Sequence, residues 1–211
     1  MTSDQLAVEL AAKINMKSVI DEVSSMTEEV HRDTIYITVV DKDRMSVSLI
    51  YSIFHGFGSG IASEKFGVLF QNRGAGFNLI PGHVNEYGSA KRPLHTIIPA
   101  IVKEKGLIKM PFGVMGGQYQ ATGHVRILSN IYDFGMDIQA ALDAPRSFFE
   151  KGHLRIERGY EESTVQKLSS LGHNIDQKIG PIGGAQAIRM HKNGVLEGAS
   201  DPRKDGSAIG Y

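Results

Sequence analysis

The chain has 211 residues, 41% apolar and 22% charged, enough for a buried core in one large or two small domains and too apolar for a disordered chain. Lys+Arg and Asp+Glu are balanced at 23 each, so no net electrostatic drive points to nucleic acid or to an anionic membrane surface. There is no cysteine, which excludes disulfides, thiolate metal sites and cysteine nucleophiles.

In chain order, residues 2–15 read as a helix: Thr2 with Gln5 forms a capping box, and Leu6, Leu10, Ala11 and Ile14 fall on one face. Residues 16–33 are polar, without periodicity, and read as a linker or exposed loop. The texture changes at Thr34, where a β-branched run to Val40 and a second strand, Met45–Phe54, flank a hairpin turn at Asp41–Arg44. Phe66–Asn72 reads as a third strand, before a long loop bearing Gly, Asn and Pro. Thr96–Lys103 and Leu107–Phe112 form another hairpin around Glu104–Gly106. Gln118–Tyr132 and Asp137–Asp143 have helical character. The chain closes with a strand (His153–Glu157), a helix (Glu161–Leu171, stopped by Gly172), and strands at Asn174–Ile179, Ala185–His191 and Val195–Gly198. Strands, then helices, then strands predict a layered α+β domain rather than repeating βαβ units.

Met1–Asp4 lacks the basic start and apolar core of a secretory signal, and no segment approaches the roughly 18 apolar residues of a membrane span. The cysteine count leaves the compartment open, and the cytoplasm is the expectation. The eight histidines show no HExxH or comparable ligand spacing, so neither a metal nor another cofactor is expected. The Gly-rich loop Gly56–Gly60 is a weak dinucleotide candidate, because Ile61 takes the last glycine position of a GxGxxG frame and strands surround it. Ser59 is not in a GxSxG elbow, since Phe57 stands at its first glycine position.

Thr34 carries the sharpest chemical reading. A threonine hydroxyl is a weak nucleophile and needs a base within hydrogen-bond reach. If the backbone is cut between Asp33 and Thr34, the freed α-amine supplies that base, with a reference pKa of about 7.7–8.0. That value suits proton transfer near neutral pH without a histidine.

Seven segments in order carry a family resemblance: Thr34 with Val39–Asp43, Phe57–Ile61, Lys91–Leu94, Gly116-Gly117, Ala144–Arg146, Gly198–Arg203 and the closing Gly210-Tyr211. From Thr34 onward the chain resembles the small subunit of the γ-glutamyltranspeptidase family, within the N-terminal-nucleophile (Ntn) hydrolases. The resemblance implies a four-layer αββα fold, present here in part, made when a precursor cleaves itself into a large and a small subunit. It implies that residues 1–33 are the tail of a large subunit and 34–211 the catalytic small subunit. The large subunit, which in the family supplies part of the sheet layers and a substrate-binding arginine, is then the expected partner, beside a small-molecule amide substrate. A homo-oligomer stays open, and no nucleic acid or membrane partner is expected.

Carried over position by position, Thr34 matches the nucleophile and Ser52 a threonine whose hydroxyl supports it, a bond serine can also make. Gly116 and Gly117 match the pair whose N–H groups form the oxyanion hole, though a tight strand-to-helix turn would also call for glycine there. The departures fall in the substrate pocket: Phe54 for an asparagine, Arg73 for a glutamine, Gly76 for the aspartate that grips an α-amine, and His95 and Thr96 for a serine pair. Losing that acid removes the partner of an ammonium group, while Arg73 and His95 favour an anion, unless Arg73 is only a solvated loop charge. The pattern resembles the acylase and oxamate-amidohydrolase side of the family. It implies an amidohydrolase acting through an acyl-enzyme, cleared by water or an amine acceptor, on small carboxylate-bearing amides (γ-glutamyl, oxamate-like or glutaryl). The competing expectation is a fragment without activity of its own, or a subunit active only with a separate large-subunit partner.

Overall fold

The computed structural model describes residues 3–20, 33–177 and 180–211. In chain order its elements are α1 (Asp4–Ala11), β1 (Asp33–Val40), β2 (Ser46–Phe54), β3 (Pro99–Glu104), β4 (Leu107–Met115), α2 (Tyr119–Tyr132), α3 (Ile138–Asp143), β5 (Ser147–Glu150), β6 (His153–Ile156), α4 (Glu162–Ser170), β7 (Ile175–Asp176), β8 (Gly184–Met190) and β9 (Leu196–Ser200). They form two compact units, Met1–Ser25 with Pro145–Gly180, and Met26–Ala144 with Pro181–Tyr211. Most of the linker read at 16–33 lies outside the described residues. No described helix is long and apolar enough to cross a membrane.

The larger unit is a stack of layers. β1 and β2 pair as an antiparallel hairpin whose turn is held by Asp41, its Oδ1 accepting from the N–H groups of Asp43 and Met45. The hairpin packs on a four-stranded sheet of order β3-β4-β8-β9. Tyr36 makes the central contact: a Cβ added to Gly113 would lie 2.4 Å from two of its ring carbons, so only glycine admits the ring. The Tyr36 hydroxyl pairs with Ser48 Oγ at 2.7 Å, and burial raises its pKa. Because side chains alternate along a strand, Phe112 and Val114 face the other way, where the His124 ring lies 5.0 Å from that of Phe112 and Gly123 admits Val114. Helices α2 and α3 thus form the third layer, with Ile127, Ile131, Ile138 and Leu142 buried in it. Arg203 ties α3 to the segment after β9 by donating to the carbonyls of Leu142, Asp143 and Ala144.

The outer face of the hairpin runs against the usual pattern. Tyr36, Thr38, Ser48 and Ser52 point toward the four-stranded sheet, whereas Ile35, Ile37, Val39, Val47, Leu49 and Tyr51 are exposed, Tyr51 by 61%. Among the described residues nothing covers this apolar face.

In the smaller unit, β6 pairs antiparallel with β5 and parallel with β7, and Ile156 and Val165 are buried. The Glu157 carboxylate accepts from the buried Arg146 N–H at 2.9 Å. The predicted capping box is corrected here: the N-cap is Ser3, whose Oγ accepts from Leu6 N–H, with Asp4 in the first turn. An acidic first residue after a serine cap suits the partial positive charge of a helix start. Two further corrections concern strands. Phe66–Asn72 is a loop with a single bridge, Ala62 to Leu69, because Gly67 turns with φ 64 and its backbone bonds go mostly to the preceding loop at Ser59–Ser63, with one from Asn72 N–H to the Ile53 carbonyl of β2. Conversely, β5 was not expected; Lys151 and Gly152 (φ 52 and 75) make the two-residue turn that closes it onto β6. The strand read at Asn174–Ile179 is observed at Ile175–Asp176, and the last two residues of that reading, 178–179, lie outside the described residues.

Candidate active site

The hairpin register sets Thr34 directly across from Ser52, and the Thr34 hydroxyl donates to Ser52 Oγ at 3.2 Å. Pairing shifts between Asp33 and Thr34, so that Asp33 stands opposite Phe54 rather than Ile53. The irregularity in the ladder thus falls on the peptide bond read from the sequence as the scissile one. Phe54 ends β2 with φ 79, a left-handed conformation rare for a bulky side chain. That twist turns its N–H back onto Ser52 Oγ at 3.1 Å and buries its ring.

Arg73 completes the group. Its guanidinium lies 4.5 Å over the Phe54 ring, with Nη2 donating to Ser52 Oγ at 3.2 Å and Nη1 to Thr96 Oγ1 at 3.3 Å. Three donors, from Thr34, Phe54 and Arg73, therefore converge on Ser52 Oγ, which has two lone pairs to offer. Arg73 is 7% exposed, which removes its reading as a solvated loop charge. Burial lowers its pKa, but a guanidinium remains charged at neutral pH. Among the described residues no carboxylate pairs with it. A buried cation without a counter-ion is costly, and such sites are completed by an anion.

Two asparagines hold the loop that delivers Arg73. Asn72 Oδ1 accepts from His55 N–H at 3.1 Å while its amide contacts His55 Nδ1 at 2.7 Å. Buried Asn85 donates to the Gly76 carbonyl at 2.7 Å and accepts from Leu94 N–H at 2.8 Å. Arg73–Gly76 is a single 3-10 turn, and the Arg73 N–H contacts the Gln71 side chain. A Cβ on Gly76 would touch Pro93 at 3.4 Å and the Phe54 ring at 3.7 Å. The three departures noted in the sequence, Phe54, Arg73 and Gly76, are therefore one packed group. Sequence reasoning missed Asn85; it shares its loop with Asn78, and nothing in the local sequence separates the two.

His95 does not join the cluster. Its ring is exposed and its Nδ1 is turned on the Pro93 carbonyl at 3.1 Å. Gly116 and Gly117 occupy the turn from β4 into α2 with φ 122 and 59, and their carbonyls accept from Tyr119 and Gln120 N–H. A Cβ on Gly116 would come within 2.8 Å of Gly183 Cα, and one on Gly183 within 2.5 Å of the Met115 carbonyl. Two backbones meet there, a close approach that only glycine allows.

A layered α+β unit with two packed sheets, a hairpin carrying a threonine at the second residue of its first strand, and a glycine turn after β4 is an Ntn-hydrolase fold. The sequence profile of the gamma-glutamyltranspeptidase family matches residues 1–211, and the chain belongs to that family. It is 36% identical over 198 residues to the Glutathione hydrolase-like YwrD proenzyme of Bacillus subtilis, covering 89% of this chain and 38% of that protein. It is 35% identical over 188 residues to the oxamate amidohydrolase proenzyme of Klebsiella pneumoniae, covering 85% of this chain and 36% of that protein. The chain thus spans under two-fifths of the length of these two relatives. Among solved structures, the cephalosporin acylase of Bacillus halodurans superposes with a TM-score of 0.85 at 35% identity, over 99% of this chain and 39% of that one. A gamma-glutamyltranspeptidase from Pseudomonas nitroreducens superposes with a TM-score of 0.76 at 27% identity, over 83% of this chain and 98% of that one.

Proposed function

We propose that this chain carries the catalytic half of an Ntn amidohydrolase, with Thr34 as the nucleophile, freed by cleavage after Asp33. The observation that carries the proposal is the Thr34–Ser52 hydrogen bond beside a break in the strand register at that peptide bond. In cleavage, Thr34 Oγ attacks the Asp33 carbonyl carbon, and the peptide C–N bond breaks to leave an ester and a free α-amine. Water then resolves the ester, giving a carboxylate at Asp33 and an amino terminus at Thr34. Residues 1–33 accordingly belong with a preceding large subunit and 34–211 form the small one.

In turnover, Thr34 Oγ attacks the substrate amide carbonyl as its proton passes to the Thr34 α-amine. The N–H groups of Gly116 and Gly117 stabilise the oxyanion. The C–N bond breaks, the leaving amine takes the proton back from the Thr34 ammonium, and an acyl ester remains on Thr34. A water, deprotonated by the same amine, clears the ester; an amine acceptor can take its place. Ser52 orients the nucleophile. The buried Arg73, which has no carboxylate partner among the described residues and has Thr96 beside it, is the group that receives a substrate carboxylate, and His95 is a secondary candidate at the rim. The absence of an acid at Gly76 weighs against recognition of a substrate ammonium group.

The chain works with a large subunit rather than alone. Support comes from the exposed apolar row Ile35, Ile37, Val39, Val47, Leu49 and Tyr51, a face that a further layer would bury. The deciding experiment is intact-mass analysis of the complete protein. A new chain starting at Thr34, absent from Thr34→Ala, is the expected result. Full activity without any cleavage would overturn the reading.

A further inference from the structure

We infer that Arg73 limits the length of the acyl group, so that the enzyme prefers amides whose carboxylate lies on the scissile carbonyl or one carbon from it. The inference rests on the reading of Thr34 as nucleophile and Arg73 as carboxylate receptor, and adds a distance to it. Arg73 Nη2 and Thr34 Oγ1 both bond the same atom, Ser52 Oγ, each at 3.2 Å. They therefore stand no farther apart than two such bonds laid end to end. A substrate must fit its scissile carbonyl and its carboxylate between these two fixed points.

The arithmetic separates short acyl groups from long ones. Attack needs the carbonyl carbon about 3 Å from the nucleophile, and a charge-assisted N–H···O bond spans about 2.8 Å. A carboxylate joined directly to the carbonyl adds one C–C bond, about 1.5 Å, and the whole bridges the gap with slight bending. One inserted carbon is tolerated in the same way. A glutaryl chain puts about 5 Å between the two carbons when extended. It would have to fold back on itself, with three extra torsions frozen in that shape.

The guanidinium cannot move to accommodate a longer chain. Phe54 covers one of its faces, Thr96 and Ser52 hold two of its N–H groups, and it is only 7% exposed. Three of its five donors remain for an anion. Phe54 is itself fixed by its left-handed backbone and its N–H bond to Ser52. Gly76 leaves the rest of this corner to the Phe54 ring and Pro93.

The test uses the complete, processed protein and the p-nitroanilides of oxalic, malonic, succinic and glutaric acids as monoamides, with acetanilide as the uncharged probe. kcat/KM is read as a ratio to that probe within each variant, which cancels any loss of folded enzyme. In the wild type the ratio is expected to fall at least tenfold from the oxalic or malonic compound to the glutaric one. Arg73→Ala should level the series, and Arg73→Lys, which keeps the charge but loses the bond to Thr96 or Ser52, should keep a preference for acids with a weaker length dependence. A ratio that rises toward the glutaric compound and is still lost in Arg73→Ala would overturn the length limit and leave the carboxylate receptor standing. Ratios unchanged by Arg73→Ala across the series would overturn both.

Discussion

Replacing Ser52 by alanine removes the one oxygen that Thr34, Phe54 and Arg73 all address. Two of those donors belong to residues less than a tenth exposed, Arg73 at 7% and Phe54 at 8%. A buried donor left without a partner costs about 1–3 kcal/mol, so the variant is expected to lose roughly 2–4 kcal/mol of stability. For a unit of about 150–250 residues that is a fall on the order of 10 °C in melting temperature, and a smaller one of a few degrees in the longer complete protein. Turnover should fall by about 10²-fold, in the range seen when one aligned polar group is taken from an active site. Ser52→Thr keeps the oxygen and should stay within about fivefold of the wild type, since only a methyl is added. The assay is a thermal melt of the complete protein, paired with intact-mass measurement of cleavage and kcat on a carboxylated anilide. An alanine variant that melts within about 1 °C of the wild type and cleaves and turns over normally would refute the claim that this oxygen organises the site.

Thr34→Ala should abolish both cleavage and turnover while leaving the fold intact, checked by mass, activity and circular dichroism; normal turnover in this variant would mean another nucleophile. Gly113→Ala should cost about 1–3 kcal/mol through overpacking, because the new Cβ would lie 2.4 Å from the Tyr36 ring. Denaturant midpoints in a double-mutant cycle with Tyr36→Ala check this, and an equal cost with and without the ring would refute the contact. Burial holds the His124 pKa below its ordinary value of about 6.5, so the unfolded chain takes up a proton there that the folded chain does not. Stability should therefore fall as pH drops below about 6.5, and His124→Asn should lessen that fall; an identical pH dependence of melting in both proteins would refute the assignment.

Much of the larger unit follows from local chemistry that the sequence displays. The β-branched run from Thr34, a turn at Asp41–Arg44 and a second run to Phe54 predict a hairpin, but pairing about that four-residue turn would set Thr34 opposite Tyr51. The observed register sets Val40 against Ser46, takes Met45 into the turn, and so brings Ser52 opposite Thr34. The partner of Thr34 is therefore implied by the family resemblance, and the extra turn residue that places it is not legible in the order of residues alone. The strand read at Phe66–Asn72 fails because β-propensity describes fit to a neighbouring strand, and here the neighbour is a loop. The reverse error, at Ser147–Glu150, comes from a short strand whose only local mark is the Lys151-Gly152 turn.

The state of Arg73 lies beyond such reading for a specific reason. Its residue type suggests an anion, but a loop arginine is ordinarily hydrated, and sequence gives no weight to either outcome. What removes it from water is the Phe54 ring, and what places that ring is a left-handed turn of the backbone at the end of β2. No propensity scale favours a phenylalanine there. Strain of this kind persists only where the surroundings over-determine it, and it concentrates at functional sites. The bonds from Phe54 N–H and Arg73 to Ser52, with the Asn72 and Asn85 bonds that position the loop, supply that determination. The same inversion appears in the hairpin, whose polar side faces the four-stranded sheet and whose apolar side faces out. In a protein of two sheets alone, burying Thr38, Ser48 and Ser52 while exposing Ile37, Val39 and Leu49 would waste the hydrophobic driving force. The pattern is economical only if both faces are covered and the inner one is reserved for chemistry.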